Sequence, residues 1–106
     1  MSNTRIWKYP MVSRDCTIEM PRYAKMLSCQ MQGQFPCFWC MVDTTQGQLV
    51  PRRFIAIGTG YEIPQDVELA YIATVQSDTG LVHHIFEVLG EVPAAMGKEL
   101  CGSTGS

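Results

Sequence analysis

The stretch Ala24-Lys25-Met26-Leu27-Ser28-Cys29-Gln30-Met31-Gln32, then Gly33-Gln34, then Phe35-Pro36-Cys37-Phe38-Trp39-Cys40-Met41-Val42, decides how this chain folds. Leu27, Cys29 and Met31 alternate with Ser28, Gln30 and Gln32. Side chains on a β-strand point to opposite faces in turn, so this period of two gives one apolar and one polar face. A helix needs apolar residues three and four apart, and the glutamines fall in the wrong places for that. Gln32-Gly33-Gln34 supplies a turn, and the apolar run that follows reads as a central strand, so the two form a hairpin.

The same reading extends in both directions. Upstream, Arg5 to Val12 alternates Ile6, Lys8 and Pro10 with Trp7, Tyr9 and Met11, and Cys16 to Met20 places Cys16, Ile18 and Met20 on one face. Downstream, Arg52 to Ile57, Val67 to Gln76 and Leu81 to Leu89 are strands, separated by Gly58-Thr59-Gly60, a polar loop through Asp66, and the turn Ser77-Asp78-Thr79-Gly80. About seven short strands at this spacing predict a mainly β fold, a single small antiparallel sandwich or barrel. The β domain is expected over residues 5–90, with 91–106 forming a short helix from Pro93 to Leu100 and a disordered tail.

At 106 residues the chain is long enough for one domain to fold without a metal or disulfide. Its net charge of −2, with no run of Lys or Arg, lacks the footprint of a nucleic-acid binder. No apolar stretch reaches the length of a membrane-spanning helix, and the first residues carry no signal-peptide pattern, so a cytoplasmic location is expected. Five cysteines, an odd number, argue against a disulfide framework and for reduced thiols. Charged residues make up only 17 % of the chain, which favours self-association into a homo-oligomer.

Cys37 and Cys40 have C-x-x-C spacing, but on a strand residues three apart face opposite ways, and no second ligand pair follows. Two unrelated thiols are the plainer reading, and no metal or cofactor is expected. His83 and His84 must split between faces. His84 reads either as a ligand contact or general base, or as a histidine with a purely structural role. Gly58-Thr59-Gly60, followed by Tyr61, reads either as a tight turn or as a loop whose amides cradle an anion. Trp39 and Arg52 join these as candidate contacts, since tryptophan often anchors interfaces and Arg52 can pair with an anion. No serine or cysteine nucleophile carries a recognisable local signature, so no residue is assigned a catalytic role.

The ordered series Ile6-Trp7-Lys8-Tyr9-Pro10, Ile18-Glu19-Met20-Pro21, Cys37-Phe38-Trp39, Gly58-Thr59-Gly60 and Leu81-Val82-His83-His84-Ile85-Phe86-Glu87 resembles a family of small phage and prophage proteins of unknown function. The family has a small residue where Cys40 stands, so Cys40 is a departure. The family histidine corresponds to His84, and its imidazole or aromatic after the glycine turn to Tyr61. The resemblance implies a phage context without a reaction; with the glycine turn and the low surface charge, the expectation is a phage accessory protein, a non-enzymatic binding module acting in the host cytoplasm. Its partner would be a host protein or a small anionic ligand such as a nucleotide signal, sequestered as counter-defence. Gly58 to Tyr61, Trp39 and Arg52 would surround the ligand between subunits. Two alternatives stay open: a small hydrolase using His84 with a carboxylate, and a structural or assembly protein of the virion.

Overall fold

The computed structural model describes residues 2–90 and, as backbone, Glu99–Cys101. The strands are β1 (Thr4–Pro10), β2 (Asp15–Pro21), β3 (Lys25–Gln32), β4 (Phe35–Asp43), β5 (Leu49–Gly58), β6 (Glu68–Gln76), β7 (Val82–Leu89) and β8 (Glu99–Cys101). They form two sheets, a three-stranded one in the order β1-β4-β3 and a five-stranded one in the order β6-β7-β5-β2-β8. The first seven strands pair antiparallel, whereas β8 runs parallel to β2. The expected helix lies outside the described residues except at its end, where Glu99–Cys101 is strand. The expected disordered tail also lies outside them except for its first residue, Cys101, which is in β8. No helix among the described residues is long and apolar enough to cross a membrane.

The mainly β sandwich expected from the alternation is present. The inner face of the small sheet carries Tyr9, Cys29, Phe38, Cys40 and Val42, and the facing sheet contributes Cys16, Ile18, Met20, Phe54, Val75 and Ile85. Phe38 and Phe54 meet between the sheets with ring centroids 4.4 Å apart and planes tilted by 33°. Offset aromatic contact of this kind adds to the burial of both rings. Arg52 also points inward, and it forms two hydrogen bonds of 2.8 Å to the Glu87 carboxylate. A third, of 2.7 Å, goes to the Ala24 carbonyl just before β3, so one guanidinium ties β5 and β7 to the other sheet. A charge so placed is tolerable because it is paired and its donors are used.

Two edge strands break the alternation. Between Met26 and Ser28 the register of β3 against β4 shifts by a β-bulge, so Met26 and Cys29 both face inward. Leu27, expected on the buried face with Cys29 and Met31, is instead 45 % exposed. A second bulge lies between Tyr71 and Ala73 of β6. Bulges gather on edge strands because a neighbour is needed on one side only.

These burials give two testable outcomes. In urea denaturation, Leu27→Ser should change stability by no more than about 0.5 kcal/mol. Phe38→Ala should cost about 3–5 kcal/mol. Alkali is the second test. Burial pushes the Cys29 and Cys40 thiols up from 9.0 to about 12 and about 11, and the Tyr9 phenol from 10.0 to about 12. The folded state thus holds protons that the unfolded chain gives up at lower pH. Stability should be full below pH 9.0, the unperturbed thiol value, and be lost progressively as pH climbs through about 11 to about 12. Urea midpoints across that range check it. The Tyr9 hydroxyl has no hydrogen-bond partner among the described residues. Tyr9→Phe should therefore cost little at neutral pH and soften the loss above pH 10.0.

Candidate functional site

The residues singled out from the sequence divide into three places. Gly58, Thr59, Gly60, Tyr61 and His84 come together at the end of β5 and on β7. Arg52 lies between the sheets, held by Glu87 and the Ala24 carbonyl. Trp39 pairs with Lys8 and Ser28 on the outer face of the three-stranded sheet, opposite to the buried Phe38. The structure does not bring Trp39 and Arg52 to the glycine turn within one chain.

Gly58-Thr59-Gly60-Tyr61 is a four-residue turn closed by the Tyr61 amide donating to the Gly58 carbonyl at 3.1 Å. Gly60 has φ of 91° while Thr59 stays at negative φ, which is the pattern of a type II turn. Gly58 is required for another reason. A Cβ built on it would lie 2.9 Å from Cδ2 of Tyr61, so the ring sits directly against the glycine. The ring is nonetheless 74 % exposed. The turn thus holds up one tyrosine face at the end of the sheet.

His84 stands on the outer face of the five-stranded sheet, paired with Ile57 on one side and Thr74 on the other. Its Nε2 lies 2.8 Å from Thr59 Oγ1 and its Nδ1 lies 3.0 Å from Thr74 Oγ1. Thr74 Oγ1 in turn lies 2.7 Å from the Tyr71 hydroxyl. The result is a continuous hydrogen-bonded chain, Thr59–His84–Thr74–Tyr71. A neutral imidazole donates from one nitrogen and accepts at the other, and hydroxyls do either, so the chain is satisfied in both tautomers. Tyr71 is 60 % exposed, and its ring meets Phe86 edge-on at 5.7 Å.

Tyr71 and Thr74 share a face only because of the bulge. In a regular strand, residues three apart point to opposite sides. With Ile72 unpaired, Tyr71 pairs with Phe86 and Thr74 with His84, both outward. Tyr71 and Thr74 escaped the sequence reading for this reason. No Gly, Pro or polar cluster marks the bulge in Leu69-Ala70-Tyr71-Ile72-Ala73-Thr74-Val75.

Other candidate chemistry is spent on structure. Arg53 faces outward and makes two hydrogen bonds, of 2.9 and 2.7 Å, to the Asp15 carboxylate. Hydrogen bonding to Asp15 and to Glu87 raises the pKa of Arg53 and of Arg52, against the opposing effect of burial. Cys37 faces outward and Cys40 inward on β4, and both are buried. Lys8 Nζ donates to Gln32 Oε1 at 2.7 Å across β4, on the Cys37 side. Among the described residues no group of three or more His, Cys, Asp and Glu side chains is placed to hold a metal ion. His83, on the opposite face from His84, lines a groove of about 490 Å³ at one end of the sandwich.

Gly58→Ala should displace the Tyr61 ring and leave the fold intact, because an exposed side chain can swing aside. The stability loss should stay within about 1 kcal/mol, and Tyr61→Ala in the same chain should cancel most of it. Urea denaturation of the two single variants and the double variant measures that coupling. Additive losses would mean that the ring does not rest on Gly58.

A comparison with protein families matches residues 2–95 to a family described as a domain of unknown function, DUF7352. No curated protein and no solved structure matches the chain. The match spans β1 to β7, with the glycine turn and the His84 face, and the chain belongs to this family of domains of unknown function.

Proposed function

We propose that this protein is a non-enzymatic binding module and that the outer sheet face around His84 takes a protein partner. The observation that supports this most is the preformed chain Thr59–His84–Thr74–Tyr71, lying in the open and flanked by exposed tyrosine rings. Tyrosine supplies contact area with few rotatable bonds, so ordering it on binding costs little. Hydroxyls and an imidazole already fixed by one another need no rearrangement to meet a partner.

A protein suits this surface better than a small anion. Arg52 and Arg53, the cations nearest in sequence to the glycine turn, are each held by a carboxylate. An anion at the turn would meet neutral donors and backbone amides. The resemblance to phage and prophage proteins points to a host protein as the partner, sequestered in the host cytoplasm as counter-defence. The expected self-association falls to the other sheet, where Ile6 and Met41 are exposed and pair across β1 and β4 beside Trp39.

Hydrolysis is the second reading, because Thr59 Oγ1 stands 2.8 Å from His84 Nε2, the distance of a nucleophile from its base. It is the weaker one. The other imidazole nitrogen meets a threonine hydroxyl where hydrolases place a carboxylate. Replacing that carboxylate by a neutral group costs about 10⁴ in turnover in the serine protease triad.

Photo-crosslinking in bacterial cells tests the proposal. Benzoylphenylalanine in place of Tyr71 should give a discrete adduct with one host protein. His84→Ala in the same chain should reduce the adduct about tenfold or more, the effect of losing a central contact. The crosslinker in place of the still more exposed Tyr23 should give no such adduct. No adduct from position 71, or the same adduct from both positions, would overturn the proposal. Hydrolysis of p-nitrophenyl acetate that is lost in Thr59→Val would put the second reading in its place.

A further inference from the structure

Three connections meet at one end of the sandwich: Met11 to Arg14 between β1 and β2, the β3–β4 turn at Gly33, and the β6–β7 turn from Ser77 to Leu81. Between them lies a groove of about 490 Å³, a volume typical of small-molecule sites. Its walls are largely apolar, with Met11, Met31, Pro36, Ala56 and Leu81 contributing from both sheets. Leu81 is exposed at the mouth although it is a large aliphatic side chain.

The serine and threonine hydroxyls of the groove lining, Ser13, Ser77 and Thr79, are hydrogen-bonded, but two basic residues there are not. The guanidinium groups of Arg52 and Arg53 are each bound to a carboxylate, and the His84 ring uses both nitrogens. Arg14 and His83 both line the groove, and the side chain of neither makes a hydrogen bond or ion pair among the described residues. Arg14 contributes only its backbone carbonyl, which accepts from the Ala56 amide at 2.8 Å and so fixes that loop at the groove floor. Asp78 is the one carboxylate in the lining, and it does not pair with Arg14.

We infer that this groove binds a small amphipathic monoanion, its apolar body along Met31, Ala56 and Leu81 and its charged group at Arg14 and His83. A guanidinium offers paired donors that match a carboxylate or sulfonate. The burial of apolar surface supplies most of the attraction, and the arginine selects the sign of the charge. Asp78, the one carboxylate in the lining, disfavours a second negative charge on the ligand. The site is separate from the His84 face, since His83 and His84 lie on opposite sides of β7.

Octanoate, octylammonium and octanol are suitable probes, with two-dimensional ¹H–¹⁵N NMR of the whole chain as the readout. Octanoate should shift the amides of Met11 to Arg14 and Ser77 to His83 saturably and leave those of Tyr71 and Thr74 in place. Octylammonium should bind about tenfold more weakly or worse, and Arg14→Gln should remove that preference while Thr59→Val leaves it unchanged. Arg14 and Leu81 are both exposed, so Arg14→Gln and a second variant, Leu81→Asp, will not unfold the chain. Leu81→Asp should weaken all three probes. Absence of saturable shifts at these turns, or equal binding of octanoate and octylammonium, would overturn the inference. Failure here would leave the His84 face untouched, because the two surfaces share no residue.

Discussion

In a regular strand Tyr71 and Thr74 would face opposite sides of the sheet; with Ile72 left unpaired in β6, both face outward and their hydroxyls come within 2.7 Å. The Thr74–Tyr71 arm of the outer-face hydrogen-bonded chain follows from that shift. Thr74 reaches one nitrogen of His84, and the glycine turn delivers Thr59 to the other. The turn in turn depends on Gly58, whose missing Cβ makes room for the Tyr61 ring. Two local departures from regular β-structure, one in an edge strand and one at a strand end, thus assemble a single surface.

The core tolerates these departures because it is anchored elsewhere. Phe38 and Phe54 close the space between the sheets, and the partly buried ion pair of Arg52 with Glu87 reaches back to the Ala24 carbonyl. Neither anchor lies on the two bulged edge strands, β3 and β6. The edge strands are therefore free to carry an extra residue without opening the sandwich. Placing one arginine inward and the next outward, each on its own carboxylate, also leaves little positive charge on the His84 side.

Much of the architecture was readable in the alternation of single strands. The opposite facing of Phe38 and Trp39, of Cys37 and Cys40, and of His83 and His84 needs only the period of two. Residues whose partners lie far along the chain were less accessible. Arg52 looked available for an anion, and only the pairing of β5 with β7 brings Glu87 to it. Leu27 is misplaced and Tyr71 passed over for a shared reason, since a bulge depends on what a neighbouring strand allows and leaves no fixed mark in its own residues. The parallel strand β8 was hidden likewise, because three residues carry too little pattern to read.

Nuclear Overhauser contacts of the Tyr71 ring in the folded protein report on which face of β6 that ring lies. With the bulge in place, the ring protons should show strong contacts to the Thr74 methyl group and to Phe86, on the outer face. Contacts linking the Tyr71 ring instead to Val75 and Ile85, on the inner face, would mean that β6 alternates without interruption. The hydroxyl chain through His84 would then not exist.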